Sequence, residues 1–312
     1  MARGLGINSR LIGGFEATYG GAATSWRQIS FAEASLGEQQ DQQQDTLLGQ
    51  GRQPTEPEKG LITLRGSVVV PVMSADVGWW LKGLLGQPQT DGDAPGPFTH
   101  VYRGGNSGSL PSVSLELGFP DAGRFYLNAG LIVNQMQFTL QRGQSPRITF
   151  ELMGQSETPG AATADETPGA VSDQVKFERF HASATVGGQS AELLEAQLTY
   201  GNGAEAYDPI RSDPRPAGMD IGRAAVSGSV RVRLKDATWD ALAGAAPSAL
   251  TLGWSSGGTS LTFAIPRAHF AKVGKEVRGA AGVDVTYQWM GSRDAVSLSA
   301  LTTTLINNEE GY

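Results

Sequence analysis

The chain has 312 residues, 39% of them hydrophobic and 18% charged, which is enough apolar material for a packed core and excludes wholesale disorder. Its formal net charge of −7 repels phosphate on average, which argues against a sequence-reading or backbone-clamping nucleic-acid binder. The same sign suits a protein that lets DNA pass without adhesion. The lack of cysteine excludes disulfides, thiolate metal sites and cysteine nucleophiles.

The first 25 residues are predicted to form a glycine-rich arm. They contain no apolar run of the kind that marks a secretory signal, and no stretch of the chain approaches the about 18 apolar residues of a membrane span. We therefore expect a protein made in the cytoplasm that does not insert into membranes.

A polar, glutamine-rich stretch follows within residues 37–60, and its first part, 37–56, is predicted to be a long loop or hairpin tip. The strand predicted over 61–72 contains "GSVVVP". Ser74 is a good helix N-cap residue, and "SADVGWWLKGLLG" predicts a helix of about ten residues. Adjacent residues on a helix point about 100° apart, so one of Trp79 and Trp80 can fill the core while the other meets a neighbouring subunit. Core packing of both is the alternative.

After a loop over 86–98, three strands are predicted in the first half, at 112–118, 124–140 and 147–153. The last one alternates strictly: Ile148, Phe150 and Leu152 share one face, and polar residues share the other. This period of two is typical of a half-buried strand.

The stretch 155–174 contains "ETPGA" twice and no periodic apolar residues, so it is predicted to be an exposed linker. Beyond it, "DATWDALAGAAP" predicts a second helix of about ten residues that is capped by Asp236 and carries Trp239 near its start. A strand-like tail contains "SLSALTTTLI". The second-half strands are predicted at 192–200, 223–234, 259–273 and 283–290.

The two halves resemble each other. "GLITLRGSVVVPV" (60–72) aligns with "GRAAVSGSVRVRL" (222–234), and "RITFELMG" (147–154) aligns with "DVTYQWMG" (284–291). The order strand, helix, strands, turn and final strand thus occurs twice. We expect a mainly β fold with two tandem, similar β-sandwich domains, each flanked by an α-helix, and with Val68 and Val230 in equivalent strands. The predicted division is an arm at 1–25, a first domain at 26–154, a linker at 155–174, a second domain at 175–291 and a tail at 292–312.

No residue pattern predicts catalysis. His100, His181 and His269 lack metal-ligand spacing, and the chain has no nucleophile elbow, phosphate loop or dinucleotide fingerprint. The segment "TDGDAPG" (90–96) lacks the later glutamate of a calcium loop. We expect no enzyme activity, no cofactor and no metal.

Three segments together resemble the tail tube proteins of long-tailed bacteriophages: "NSRLIGGFEATYG", "GSVVVPVMSADVGWWLKGLLG" and "FYLNAGLIVNQMQFTL" with "PRITFELMG". The resemblance implies a structural virion protein whose β-sandwiches join edge to edge into a ring-shaped β-barrel. Rings would stack into a tube through which the genome leaves. A duplicated chain implies homotrimeric, pseudo-hexameric rings.

The resemblance also implies partners and a location. The partners are further copies of the chain, the tape measure protein, the tail terminator and the distal tail or baseplate proteins, with double-stranded DNA in transient passage. The location is the virion tail, assembled in the host cytoplasm. Ring stacking is predicted to use the 37–56 loop, the arm and the linker.

Polar strand faces are the candidates for the lumen, and an excess of carboxylates there would repel DNA phosphates. Arg147, Arg231 and Arg233 also lie on polar faces, so either they face elsewhere or the lumen is mixed. The tryptophans of the two predicted helices, Trp79, Trp80 and Trp239, are the candidates for inter-subunit contacts. The candidate lumen residues are Glu116, Thr149, Glu151, Asp284 and Thr286.

Two other function classes stay open at this point. The first is a secretion tube protein similar to the Hcp ring protein, against which the duplication argues. The second is a carbohydrate-binding or hydrolytic β-sandwich, which needs exposed aromatic residues and a poised carboxylate pair.

Overall fold

The computed structural model describes residues 3–45, 48–49, 51–106, 108–170, 175–277 and 282–312. The fold is mainly β, as predicted, and its paired strands are antiparallel. Parts of the predicted 37–56 loop and of the predicted linker lie outside the described residues, as does most of the turn before the last predicted strand.

In the first half, the helix is α1 (Asp76–Leu85). The first-half strands are β1 (Arg10–Phe15), β2 (Arg27–Ile29), β3 (Glu33–Gln43), β4 (Glu58–Pro71), β5 (Gln89–Asp91), β6 (Phe98–Arg103), β7 (Val113–Phe119), β8 (Arg124–Gln141), β9 (Arg147–Gly154) and β10 (Ser156–Gly160).

In the second half, the helix is α2 (Thr238–Leu242). The second-half strands are β11 (Ala182–Val186), β12 (Gln189–Ser190), β13 (Glu195–Gly201), β14 (Glu205–Tyr207), β15 (Gly218–Asp220), β16 (Ala225–Arg233), β17 (Ser248–Ser256), β18 (Thr259–Phe270), β19 (Asp284–Gly291) and β20 (Thr302–Asn307).

One layer of the fold is a sheet that crosses from the first half to the second, in the order β3–β4–β9–β8–β13–β16–β19. We call it the continuous sheet. The two halves join where β8 pairs with β13, with Leu140 opposite Ala196 and Phe138 opposite Leu198. Alternation along each strand turns one set of side chains toward the core and the other set toward solvent.

The second layer covers the core face. In the first half it contains β2, β1, β7, the start of β8 and β10. In the second half β11, β17, β18, β20 and β6 follow one another, so the C-terminal strand binds a strand of the first half. Strand β8 belongs to both layers, and it bends where Gly130 adopts a positive φ of 67° and the register shifts between Val133 and Gln135.

A single cluster of buried residues runs through both halves and includes Val68, Phe150, Leu198, Val230 and Tyr287. The core therefore does not divide at the predicted linker, and the division into two domains stays a prediction. No closed barrel forms among the described strands of one chain.

The repeated strands occupy matching positions. Val68 pairs with Ala34 and Phe150, and Val230 pairs with Ala196 and Tyr287. The pairing also reveals a match that the sequence alignment missed, because "EASL" at the start of β3 corresponds to "EAQL" at the start of β13.

The close approach of a neighbouring strand explains why both repeated strands carry glycine, at Gly66 and at Gly228. A Cβ on Gly66 would lie 1.8 Å from the Ser35 carbonyl oxygen, and one on Gly228 would lie 1.9 Å from the Gln197 carbonyl oxygen. The neighbouring strand thus approaches the same backbone position in both halves, at a distance that only glycine permits.

Helix α2 is shorter than predicted. It ends at Leu242, because Gly244 adopts a left-handed φ of 78° and donates its N–H to the Phe270 carbonyl. Ser74 does not cap α1, since its hydroxyl accepts the Val175 N–H instead. Asp236 does accept the Thr238 N–H at the start of α2, over 2.8 Å.

Several segments predicted as loops contain strands. The N-terminal arm includes β1, whose Leu11 and Ile12 are buried. The glutamine-rich stretch is strand through Gln43, since β3 pairs with β4 along its length. The 86–98 loop contains β5, and the predicted linker contains β10, which pairs with β8. In β3, β5 and β10, tertiary pairing overrides a polar local composition.

Candidate functional site

The solvent face of the continuous sheet is the largest regular polar surface that its strands build. Hydroxyl and amide side chains form rows across it, because residues directly opposite each other on adjacent strands share a face. One row joins Thr149, Gln137, Thr199 and Ser227. The next row joins Thr139, Gln197, Ser229 and Gln288. We call this surface the polar face.

The charges on the polar face are mixed and balanced. Arg231 lies 3.1 Å from Glu195 and 4.0 Å from Asp284, Arg233 lies 2.5 Å from Asp284, and Arg147 lies 3.8 Å from Glu33. The arginines therefore share this face with the carboxylates and pair with them. Apart from the ends of β3 and β4 beyond the register shift between Gln40 and Gln42, the charged residues of this face in the seven strands are Glu33, Arg65, Arg147, Glu151, Glu195, Arg231, Arg233 and Asp284.

The structure brings four of the five candidate lumen residues onto the polar face. Thr149 and Glu151 lie on β9, and Asp284 and Thr286 lie at matching places on β19. Glu116 is elsewhere. It lies on β7 in the other layer and is buried, and its carboxylate accepts the Thr163 hydroxyl and the Ala164 N–H, each over 2.6 Å.

The sequence carried no signal for the different position of Glu116. Val113 to Leu117 alternate between apolar and polar residues, yet Ser112, Ser114 and Glu116 are all buried. Both faces of a strand are buried where its sheet is covered on both sides. Here Thr163 and Ala164 of the predicted linker cover β7 and bind the carboxylate.

The two ends of the continuous sheet differ from its middle. Among the described residues, β3 pairs with β4 alone, so its other edge has no strand beside it. At the opposite end, residues 271–277 follow β18 beside β19 and do not form a regular strand. Ala271 still donates its N–H to the Gln288 carbonyl.

An arm from the second half lies over the first half. The arm is the β13–β16 connection, residues 202–224, which contains the β14–β15 hairpin. Arg215 binds Glu38 of β3 over 2.7 Å, and the Ile62 N–H donates to the Pro214 carbonyl over 2.9 Å. Ala204 and Met219 of the arm pack around Met153 at the end of β9. The corresponding first-half connection joins β3 to β4.

The helix tryptophans pack on equivalent aromatic residues. Trp80 stacks on Phe150 with ring centroids 4.9 Å apart, and Trp239 stacks on Tyr287 with centroids 5.9 Å apart. Phe150 and Tyr287 correspond in the repeat. Burial, together with the hydrogen bond to the Asp240 carboxylate, raises the pKa of Tyr287 to about 12. Trp79 and Trp80 are buried and Trp239 is half-buried. The inter-subunit role of these three residues stays a prediction.

The histidines lie far from one another. His100 is buried on β6 within hydrogen-bond distance of the Thr90 hydroxyl, the Asn307 side chain and the Glu309 carbonyl. Burial lowers its pKa. Within the described part of the chain, no three histidine or acidic side chains gather as metal ligands would. No described helix is long and apolar enough to cross a membrane.

The sequence matches a known protein family. The family model described as phage tail tube protein matches residues 6–291, which is nearly the whole chain. No individual curated protein matches the chain.

Proposed function

The chain belongs to the phage tail tube protein family, and from that premise we propose that three copies join into a ring of six similar units whose continuous sheets close into a barrel. The chain is a structural subunit of the virion tail. Stacked rings form the tube, and the genome passes through its lumen during ejection.

The observation that carries the proposal is the continuous sheet. It already joins two repeat units inside one chain, through β8 and β13, and no other described strand pairs with the free side of β3. A sheet continued from copy to copy removes exposed strand edges, which are otherwise aggregation sites. A head-to-tail contact that closes on itself gives a ring, and two units per chain suit three chains.

We assign the lumen to the polar face. Its hydroxyl and amide rows hold water, and its carboxylates and arginines neutralise one another in ion pairs. DNA phosphates then meet neither net attraction nor strong repulsion. This corresponds to the mixed lumen among the alternatives that the sequence left open, rather than to an excess of carboxylates.

Stacking and partners complete the proposal. We assign inter-ring contacts to the exposed parts of the 37–56 segment, of the N-terminal arm and of the 155–174 segment, because long surface segments in a compact fold are usually functional. Tube ends and interior contact the tail terminator, the distal tail or baseplate proteins and the tape measure protein, and assembly takes place in the host cytoplasm.

Electron microscopy of the purified chain at rising concentration, with native mass measurement of isolated rings, tests the ring. We expect rings of three chains with near-sixfold density, and tubes once an assembly initiator is added. Rings of six chains would disprove the trimer. A folded chain that stays monomeric at every concentration, with initiator present, would disprove ring formation.

The lumen assignment has its own test. Replacing Glu151, Glu195 and Asp284 by Gln, Gln and Asn removes three negative charges from the polar face, including the ion-pair partners of Arg231 and Arg233. Tubes of this variant should retain short duplex DNA in a sedimentation assay and release it as salt rises. A variant with three exposed carboxylates changed outside the polar face and outside the assigned contact segments, D91N/D93N/E310Q, is the matched control and should resemble the unaltered tubes. Equal DNA retention by both variants would exclude the polar face as the lumen.

A further inference from the structure

The repeat predicts two equivalent strand junctions. One of them is formed inside the chain, and the two strands of the other lie apart, at opposite ends of the continuous sheet. Inside the chain, the second half of β8 pairs with β13. In the repeat, β3 corresponds to β13, and the segment 271–277 after β18 corresponds to the end of β8. The chain thus carries both halves of a second junction, one at each end of its continuous sheet.

The correspondence of 271–277 with the end of β8 rests on hydrogen bonding and side-chain direction. Phe270 pairs with Trp289 as Val133 pairs with Leu152, and Ala271 then bonds to Gln288 at the place where β8 changes register. Beyond it, Val273 packs against the core, and the Lys275 ammonium lies 5.9 Å from the ring centre of Tyr287. Val273 and Lys275 therefore take the core-side places of Met136 and Phe138.

Repeat-related residues differ in exposure where the junction is open. Leu140 is 7% exposed beside β13, whereas its counterpart Val277 is 72% exposed. Ala196 and Leu198 are buried beside β8, whereas Ala34 and Leu36 are only half-buried. The sequence has kept apolar side chains on both open edges, although no strand among the described residues of the same chain pairs with either edge.

The second-half arm, residues 202–224, gives an independent indication that a second copy of the chain lies beside the open edge. Met153 is 8% exposed because Ala204 and Met219 of the second-half arm cover it. Its counterpart Met290 is 68% exposed. The arm that corresponds to 202–224 is the β3–β4 connection, and it belongs to the same edge as β3. A second copy that places its β3 beside residues 271–277 therefore also places its β3–β4 connection near Met290.

We propose that residues 271–277 of one copy become a strand against β3 of a second copy, in the register of the internal β8–β13 pair. This places Val277 opposite Ala34, Glu276 opposite Ser35, Lys275 opposite Leu36 and Gly274 opposite Gly37. The described part of the β3–β4 connection of the second copy then lies over Met290 of the first copy. The register rests on the proposed ring, but it is a separate statement about which residues meet.

The opposite charges of Lys275 and Glu38 favour a second copy of the chain as the partner. Where the internal junction has Phe138 on one strand and Tyr200 on the other, the open edges carry Lys275 and Glu38. In the proposed register these two side chains are diagonal neighbours across the junction, within reach of long side chains. Each already has a partner in the single chain, Asp240 for Lys275 and Arg215 for Glu38, so the contact joins two existing ion pairs.

Disulfide cross-linking tests the register, and the chain has no cysteine of its own to interfere. The test variant is S35C/E276C on the solvent side of the junction. The in-chain reference is T139C/Q197C, whose positions correspond in the repeat. The shifted control is S35C/G274C, whose second cysteine lies two residues away, about 6.7 Å along the strand. Gly274 tolerates a side chain, because a Cβ there meets nothing within 4 Å.

After oxidation of assembled protein, S35C/E276C should give cross-linked dimers and trimers on a non-reducing gel, about tenfold more than S35C/G274C, because cysteines outside bridging distance do not join. T139C/Q197C should lose its thiols without forming dimers. Mixing S35C chains with E276C chains should give dimers and nothing longer, which shows that the link is between copies.

Two other results are informative in different ways. Rings that form normally while only the shifted pair cross-links, or neither pair does, would overturn the register and leave the tail tube function standing. Folded variants and folded unaltered chains that never assemble would overturn the ring together with the register.

Discussion

The two halves of the chain build the same three-stranded unit with unequal support. In the first half, β3, β4 and β9 are backed by the ten-residue helix α1 and continue through β8 into the next unit. In the second half, β13, β16 and β19 have the same register but are backed by the five-residue helix α2. The comparison shows that strand register depends on a few residues where neighbouring strands approach closely, whereas the length of the helix beneath can vary.

The largest expected difference between the halves concerns the helix tryptophans. Trp80→Ala removes a fully buried ring that stacks on Phe150, and should lower the free energy of unfolding by about 4 kcal/mol. Trp239→Ala removes a half-buried ring from Tyr287 and should cost about 1–2 kcal/mol. Denaturant unfolding of both variants measures this. Equal losses would show that α2 supports its half as strongly as α1 does.

The second largest expected difference between the halves concerns the repeated glycines, Gly66 and Gly228. Alanine at Gly228 forces a Cβ against β13, which is held on both sides by β8 and β16 and cannot move away. Alanine at Gly66 meets β3, which pairs with β4 alone among the described strands and can shift. We expect a loss of about 3 kcal/mol for Gly228→Ala and about 1–2 kcal/mol for Gly66→Ala.

The same unfolding experiment on assembled protein sharpens this comparison. If β3 is held by a second copy in the ring, the cost of Gly66→Ala should rise toward that of Gly228→Ala. A Gly66→Ala variant that costs as much as Gly228→Ala in free chains would mean that the β3 edge is already rigid.

Sequence reasoning reached the strands whose own pattern was sufficient. The alternation in 147–153 and 283–290 predicted β9 and β19 and assigned their faces, and the repeated "GSV" predicted matching positions for Val68 and Val230. Period-two alternation is a local signal, so it survives without knowledge of the partner strand.

Sequence reasoning missed elements whose cause is another part of the chain. The glutamine-rich end of β3 has no strand composition and is a strand because β4 pairs with it. Glu116 alternates like a solvent-face residue but is buried, because the segment around Thr163 folds over it. The balance of charge on the polar face also required the pairing, since Arg231 and Asp284 lie on different strands.

A smaller effect is expected at the two methionines that end the last strands. Met153→Gln places an amide under the arm and should cost about 2 kcal/mol in free chains. Met290→Gln changes an exposed residue and should cost less than about 0.5 kcal/mol. In assembled tubes Met290→Gln should become destabilising, which dilution of the tubes would reveal. A variant that leaves the tubes unchanged would mean that Met290 stays uncovered.

The smallest effect concerns the other contact between the halves, where β6 meets the C-terminal strand β20. Burial lowers the pKa of His100 below its usual 6.5, so the unfolded chain binds a proton more readily than the folded chain does. The stabilising contribution of the neutral ring is therefore complete above about pH 6.5 and decreases as the pH falls toward the folded-state pKa. His100→Gln should remove this part of the pH dependence, so the difference in unfolding free energy between the variant and the unaltered chain should shrink between about pH 7 and pH 5. His269→Asn, at an exposed position on β18, is the control. A difference that stays constant over this range would show that the contact between β6 and β20 does not depend on the neutral form of His100.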